Sequence, residues 1–135
     1  SFLNDRLSME MMVQPYIESV ETIGELSAIY VGVQFSHGVQ KIPVKGDYRV
    51  QDDFGAQDMP YAFTEDEIAL MDELLTLVPQ HESLLYARFD FLKSNDGQLL
   101  LNELELIEPS LFFRHCPKSA HLFADAIINV IKKSL

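Results

Sequence analysis

The stretch LLYARFDFLKSNDGQLLLNELELI, residues 84–107, predicts two β-strands joined by a tight turn. Residues 84–92 and 98–107 are mostly apolar, and the Asn-Asp-Gly triplet at residues 95–97 supplies the chemistry that a hairpin turn requires. The apolar residues continue through both halves, which is typical of strands in the interior of a sheet. This hairpin decides the fold, because the rest of the chain has to pack around it.

Charged residues lie in the middle of both predicted strands. If residues 95–98 form the loop, Asp90 stands opposite Glu103 and Arg88 stands opposite Glu105. A three-residue loop would shift this pairing by one position and make the contacts diagonal. Directly paired residues have Cβ atoms about 5 Å apart. The first register therefore predicts three carboxylates and one guanidinium on one side of two adjacent strands.

Two interpretations of this cluster remain open from the residues alone. Like charges directly opposite each other destabilise a hairpin, and burying them costs more unless something neutralises them. A hard divalent cation such as Mg²⁺, which proteins hold with one or two carboxylates plus substrate phosphates, would do so. Alternatively, Arg88 and Glu105 form an ion pair on a solvated acidic face of a chain with many carboxylates.

Outward from the hairpin, the pattern predicts further strands at residues 10–17, 25–31 and 35–44, and a loop at 45–61. Thr64 and Glu67 have the spacing of a capping box and predict the start of a helix. A last helix is predicted from Pro117. Three strands, a helix, two strands and a helix indicate an α+β fold, an antiparallel sheet with helices packed on one face.

Composition limits the classes of function. The chain has 135 residues, which suits a single domain, and a formal net charge of -11, which argues against a nucleic-acid partner. No apolar run is long enough for a membrane span, and the single Cys116 agrees with a cytoplasmic location. The first residues do not form a signal peptide, and because the chain begins with Ser1 rather than Met, we expect residues 1–135 to be a fragment of a longer protein.

Several segments together resemble the ATP-grasp superfamily, in particular D-alanine–D-alanine ligase and bacterial glutathione synthetase. Arg88-Phe89-Asp90 is similar to an Arg-x-Asp motif of the family, and Glu103-Leu104-Glu105 is similar to its Glu-x-Asn motif, with Glu105 in place of the Asn. The resemblance implies that the chain is the C-terminal lobe of an ATP-grasp domain. It also implies that Asp90, Glu103 and Glu105 coordinate Mg²⁺, or Mn²⁺, at the phosphates of ATP.

The same resemblance assigns the rest of the nucleotide site. Residues 13–17 resemble the strand that links the two lobes of the fold and pairs with adenine, and Gly24-Glu25 resembles the position of a ribose-binding Glu. Cations around the phosphates and a substrate-binding Ser complete the set. The residues implied to bind ATP are Gln14, Pro15, Tyr16, Ile17, Glu25 and Lys41; Arg88 and Arg49 are implied to be catalytic, and Ser110 to bind substrate.

The implied activity is that of an ATP- and Mg-dependent carboxylate–amine ligase that acts through an acyl phosphate. Its partners would be ATP, a small carboxylate, an amine, and a missing N-terminal part of the same protein. Two alternatives stay open: a non-catalytic nucleotide-binding or regulatory module, and an acidic α+β domain that docks a basic protein. His37 and His115 are interpreted as packing or hydrogen-bonding residues.

Overall fold

The computed structural model describes residues 10–44 and 57–134, the side chains of the last two excepted. It contains a five-stranded sheet of strand order β3-β2-β1-β4-β5, in which every neighbouring pair is antiparallel. The elements in chain order are α1 (Ser19–Thr22), β1 (Glu25–Val31), β2 (Gln34–Ile42), β3 (Gln57–Tyr61), α2 (Glu65–Thr76), a short 3-10 turn (His81–Ser83), β4 (Tyr86–Lys93), β5 (Leu99–Glu105) and α3 (Pro117–Ser134). Neither longer helix has the length and apolar character needed to cross a membrane.

One face of the sheet forms the main core. Alternate residues of β1 and β4, including Tyr30 and Phe89, are fully buried there against Met71 and Leu75 of α2. α2 begins as the sequence predicts: the Thr64 side chain accepts from the backbone N–H of Glu67, and the Glu67 side chain accepts from the backbone N–H of Thr64. The capping box fixes where α2 begins, and the apolar face fixes how it packs.

The opposite face of the same strands is polar in its centre. α3 contacts this face only near one end, where Phe123 packs edge-on against Tyr86 at a ring separation of 5.7 Å. The α+β class and the antiparallel sheet are confirmed, with one difference in detail: α2 lies on the apolar face, and α3 contacts the other. The centre of the polar face, around Asp90, is therefore left to loops and side chains.

The predicted hairpin is confirmed, and its register contains one irregularity. Asp90 pairs with Glu103 and Arg88 pairs with Glu105, as the first register predicts. Nearer the turn, however, Lys93 pairs with Leu99, so the pairing shifts between Asp90 and Phe91. Asn102 is the extra residue of a β-bulge at this shift, and a bulge re-aims the side chains beside it.

The predicted strand at residues 10–17 is wrong. These residues form no strand and are mostly exposed, with Met12 and Val13 more than three-quarters accessible. Periodicity cannot distinguish a short apolar run that pairs with a sheet from one that does not. Here Pro15 lacks a backbone N–H, and the run lies beside β5 through Gln14, whose side chain contacts Asn102, without joining the ladder.

The loop predicted at residues 45–61 is also wrong at its end. Residues 57–61 form β3, which pairs with β2 from Gly38–Tyr61 to Ile42–Gln57. β3 is one of the two edge strands, and an edge is the position in a sheet that tolerates Pro60. The other edge is β5, so the expectation that both hairpin strands lie in the interior of the sheet is wrong for β5. Residues 45–56 lie outside the described part of the chain.

Gly24 provides a test of this architecture. Its φ is +79°, and a Cβ at this position would lie 1.9 Å from the Lys41 carbonyl oxygen. Gly97, in the hairpin turn, has a similar φ of +84° with nothing near its Cβ position. We expect Gly97→Ala to lower the free energy of unfolding by about 1 kcal/mol, and Gly24→Ala by about 3 kcal/mol, since the clash adds to the strain. Urea denaturation measures both, and equal losses would contradict the close approach of Gly24 to β2.

Candidate functional site

Asp90 lies at the centre of the polar face and is completely buried. Arg88, two residues earlier on β4, donates to both of its oxygens: Nε lies 3.0 Å from each, and Nη2 lies 2.7 Å from Oδ2. The Ser27 hydroxyl on β1 donates to Oδ1 at 2.5 Å, and Lys41 Nζ on β2 lies 3.5 Å from the same oxygen. Three strands thus satisfy one buried carboxylate, as a buried charge requires.

Arg88 connects this carboxylate to the neighbouring strand and loop. Its Nη2 also lies 2.7 Å from Glu105 Oε2 on β5, and its Nη1 donates to the Ser110 carbonyl at 3.3 Å. Burial alone would lower the pKa of Arg88, but the hydrogen bonds and charge of Asp90, and then the charge of Glu105, raise it above its usual value. The guanidinium therefore stays charged and fixed between two carboxylates.

Glu103 differs from its neighbours because it is exposed. It stands opposite Asp90 in the ladder, yet its side chain forms no hydrogen bond or ion pair within the described residues. Partial desolvation, and then the carboxylates of Glu105 and Asp90, raise the pKa of Glu103. Its negative charge is thus the least compensated of the cluster and the most accessible to a ligand.

Lys41 and Glu25 extend the cluster toward the other end of the strands. Both are buried, and they form an ion pair between Lys41 Nζ and Glu25 Oε1. The second Glu25 oxygen accepts from Asn102 Nδ2 at 2.9 Å, and Asn102 Oδ1 in turn lies 3.4 Å from Gln14 Nε2. An unbroken series of polar contacts therefore runs from Gln14 to Glu105.

A surface cavity at the Gln14 end of this series is bordered by Gln14, Pro15 and Ile17. The Tyr16 hydroxyl donates to Glu21 at 2.6 Å, and Ile17 packs against the cluster of Val20 and Leu92. The cavity is lined by Gln14, Pro15, Ile17, Leu92, Leu100, Leu101 and Asn102. An apolar cavity with a few convergent amide groups has the composition of a small-molecule site.

The donor set fits a hard divalent cation in its chemistry. Asp90, Glu103 and Glu105 present carboxylates on the same face of two paired strands, and Glu103 has no hydrogen-bond or ion-pair partner among the described residues. Within residues 10–44 and 57–134, no three acidic, His or Cys side chains are arranged to enclose a metal ion. Arg88 Nη2 lies between two of the three carboxylates, 2.7 Å from an oxygen of Asp90 and 2.7 Å from an oxygen of Glu105.

The structure brings together most of the residues that the sequence assigns to the site. The residues that share the polar face or border the cavity are Gln14, Pro15, Ile17, Glu25, Lys41, Arg88, Asp90, Glu103 and Glu105. Ser110 is exposed at the loop after β5, and its contact with Arg88 uses the carbonyl rather than the hydroxyl. Arg49 lies outside the described residues. Because Asp90 is fully buried, the cluster is not a simple docking face of solvated carboxylates.

The loop between β5 and α3 is held over Arg88 from two sides. Phe112 adopts a φ of +48°, is buried against Ile29 and Val39, and has the guanidinium of Arg88 5.8 Å from its ring centre. On β3, Asp58 accepts from Arg114 Nε at 3.2 Å and lies 2.7 Å from His115 Nε2. A positive φ in a bulky residue is costly, and the surrounding contacts maintain it.

His115 and His37 both form hydrogen bonds, in agreement with their interpretation as packing or hydrogen-bonding residues. His37 Nδ1 lies 3.0 Å from the Ser36 hydroxyl, which also contacts Ser119 at the start of α3. Burial lowers the pKa of His37 below its usual value, so the imidazole is neutral near pH 7. A neutral ring packs between the sheet and the loop without an added buried charge.

Two polar residues of this region are missed by sequence reasoning. Asn102 enters the site only because the bulge places it beside Glu103, and Asp58 lies in a segment predicted as loop. The charges favour a hairpin register in which Asp90 pairs with Glu103, whereas a three-residue turn favours one in which Lys93 pairs with Leu99. The conflict between these two registers could have indicated the bulge. Nothing local in the sequence around Asp58 indicates its contact with Arg114 and His115, 56 and 57 residues further along the chain.

Comparison with known proteins shows which folds this chain resembles. No protein-family model matches the chain. The cycloserine biosynthesis protein DcsG of Streptomyces lavendulae is 30% identical in an alignment of 131 residues, which covers 90% of this chain and 42% of DcsG. The crystal structure of D-cycloserine synthetase DcsG superposes with a TM-score of 0.69 at 28% identity, covering 84% of this chain and 40% of that one.

Two more distant structures share the fold. The ATP-grasp ligase PsnB, in complex with a precursor variant, Mg and ADP, superposes with a TM-score of 0.51 at 14% identity over 76% of this chain and 33% of PsnB. D-alanine–D-alanine ligase from Bacillus anthracis gives 0.53 at 12% identity over 82% of this chain and 41% of that ligase. The chain therefore shares the fold of the ATP-grasp ligases, which confirms the predicted resemblance at the level of the fold, and it spans less than half the length of these relatives.

Substitution of the two paired carboxylates, Asp90 and Glu103, should change stability by very different amounts. Asp90→Asn leaves Arg88 and Lys41 without their shared buried anion, so we expect the free energy of unfolding to fall by about 3–5 kcal/mol. Glu103→Gln removes an exposed charge among like charges, and we expect a change within about 0.5 kcal/mol. Urea denaturation distinguishes the two, and comparable losses would show that Asp90 is not the buried centre of the network.

The contact of Asp58 with the loop is testable by proteolysis. Asp58→Asn removes the charge that holds Arg114, so we expect trypsin to cleave after Arg114 about fivefold faster. Asp125→Asn, an exposed substitution on α3, is the matched control and should leave the rate unchanged. Cleavage after Lys118 reports on general unfolding of the region. Equal rates after Arg114 in wild type and Asp58→Asn would contradict this anchoring.

Proposed function

We propose, for a chain with the fold of the ATP-grasp ligases, that it is the metal- and nucleotide-binding lobe of an ATP-dependent carboxylate–amine ligase. The observation that carries the proposal is the pairing of Arg88-x-Asp90 with Glu103-x-Glu105 on one face of β4 and β5. Its 30% identity to DcsG supports the same assignment. The proposal also includes three expectations from the sequence. Residues 1–135 form one domain, the protein is cytoplasmic, and a further N-terminal part of the same protein is needed for activity.

The two ends of the polar series would bind different parts of the nucleotide. Residues 14–17 and the cavity beside them would hold the adenine, and Glu25 would hold the ribose hydroxyls. Asp90, Glu103 and Glu105 would hold Mg²⁺, which when bound neutralises charge on the phosphates. Glu103 would be the most accessible of these ligands, since its side chain is exposed and forms no hydrogen bond or ion pair with the part of the chain that the structure describes.

The proposed reaction requires positioning and charge stabilisation rather than a protein nucleophile. A substrate carboxylate oxygen would attack the γ-phosphorus of ATP, which breaks the bond to ADP and gives an acyl phosphate. The nitrogen of an amine would then attack the acyl carbon, phosphate would leave, and the nitrogen would lose a proton. Preorganised cations near the reacting oxygens lower both barriers.

Arg88 has two proposed tasks in this scheme. Its guanidinium orients Asp90 and Glu105, since it donates to both, and its fixed positive charge lies beside the carboxylates that would hold the metal. Its bond to the Ser110 carbonyl would keep the following loop next to the phosphates of a bound nucleotide, where Ser110 would contact the substrate. Arg49 and Lys41 would supply further positive charge; Lys41 is buried against Glu25 and Asp90.

Calorimetric titration with ADP in the presence of Mn²⁺ tests the nucleotide and metal assignment. We expect binding that requires the metal, and Glu103→Gln should weaken it by about tenfold or more without loss of folding, because it removes an accessible ligand. Glu73→Gln, an exposed substitution on α2, is the control that changes net charge equally. A folded wild-type chain that binds neither Mn²⁺ nor Mn²⁺–ADP, or equal weakening in both variants, would contradict the assignment.

A further inference from the structure

The β-bulge at Asn102 brings two consecutive side chains of β5 to the same region of the site. In a regular strand, successive side chains point to opposite faces, so Asn102 and Glu103 would be separated by the sheet. At the bulge, Glu103 stands opposite Asp90, and Asn102 donates from Nδ2 to Glu25 Oε2 at 2.9 Å. The extra residue therefore adds an amide to the polar face without displacing a carboxylate.

Asn102 contributes little to the core. Its side chain is exposed, and its polar contacts are Glu25 and, at 3.4 Å, Gln14. A bulge leaves one residue unpaired and disrupts the ladder locally, and such features are enriched beside active sites, where they re-aim a side chain. The bulge places the Asn102 amide where it donates to Glu25, and this contact would orient the Glu25 carboxylate.

Glu25 is held on both sides of its carboxylate. Lys41 Nζ binds Oε1 and Asn102 Nδ2 binds Oε2, while the residue itself is buried at the start of β1. A carboxylate has about four acceptor positions on its two oxygens, so these two contacts fix its plane and leave acceptor positions open. A fixed acceptor binds hydroxyl donors at lower entropic cost than one that must be ordered on binding.

We propose that Asn102 is a positioning residue that orients Glu25 to accept hydrogen bonds from the ribose hydroxyls of a bound nucleotide. The proposal rests on the proposed function and adds a residue to its nucleoside site. Asn102 acts on the hydroxyls through Glu25 and also borders the cavity lined by Gln14 and Ile17. The Mn²⁺–phosphate part of the site, at Glu103 and Glu105, is not expected to depend on the amide.

Three probes in the presence of Mn²⁺ separate these parts: ADP, 2′,3′-dideoxy-ADP and inorganic pyrophosphate. We expect the wild-type chain to bind ADP about tenfold more tightly than dideoxy-ADP, because the hydroxyls donate to a charged acceptor. Asn102→Ala should reduce this preference to less than about threefold and leave pyrophosphate affinity within about twofold of wild type. Asn129→Ala, an exposed substitution on α3, should change none of the three affinities.

Comparison with Glu25→Gln tests the path of the effect. Residues that act as one unit are not additive, so the double variant N102A/E25Q should lose no more of the hydroxyl preference than Glu25→Gln alone. Additive losses would overturn the positioning role. Thermal unfolding of each variant checks that the chain remains folded, and a reduced preference in a folded variant cannot be a stability effect.

Each of the remaining outcomes of the binding experiment contradicts the positioning role of Asn102. If Asn102→Ala weakens ADP and dideoxy-ADP equally, the amide contacts the base and the inference is wrong. An unchanged preference in Asn102→Ala, or no preference in wild type, also overturns it, while pyrophosphate binding would still support the proposed metal site. A wild-type chain that binds none of the three probes overturns both the inference and the proposed function.

Discussion

The buried carboxylate of Asp90 is the constraint on which the polar face depends. A charged group with no solvent exposure is stable only when its partners are close and hydrogen-bonded, and here Arg88, Lys41 and Ser27 all contact it. Ser27 lies on β1, Lys41 on β2 and Arg88 on β4, so the contacts of one carboxylate connect three strands. Because Arg88 also binds Glu105 and the loop after β5, the same ion pair sets the position of both.

One face of the sheet forms the hydrophobic core, and the other carries the polar residues of the candidate site. Strand alternation puts Tyr30 and Phe89 on one face, where α2 covers them and supplies most of the hydrophobic core. The same alternation puts Ser27, Arg88 and Asp90 on the other, where α3 reaches only the end of the strands. A sheet with one apolar face already covered can keep charges on its second face, since the main core does not depend on burying that face.

Local signals in the sequence predicted the elements that local interactions determine. The turn at residues 95–97 and the charge pairing of β4 with β5 are hairpin properties, and the capping box at Thr64 acts within one helical turn. The failures are positions that distant partners decide. Residues 10–17 look like a strand but join no ladder, residues 57–61 become a strand only because β2 accepts them, and the bulge at Asn102 reconciles the turn with the charges.

The formal charge of the polar network bears on the proposed metal site. Glu105 stands where the resemblance to the ATP-grasp superfamily predicts an Asn, and this difference adds one negative charge. Four carboxylates (Glu25, Asp90, Glu103 and Glu105) meet two cations, Lys41 and Arg88, and the contacts leave a formal excess of two negative charges. With Asn in place of Glu105, Arg88 would keep Asp90 as its only carboxylate partner and the excess would fall to one. With Glu105 the guanidinium is shared between two anions, so its charge neutralises each of them less completely. Among the described residues, the excess of two is then concentrated on the β5 side, at Glu103 and Glu105, and the divalent cation proposed above would balance it.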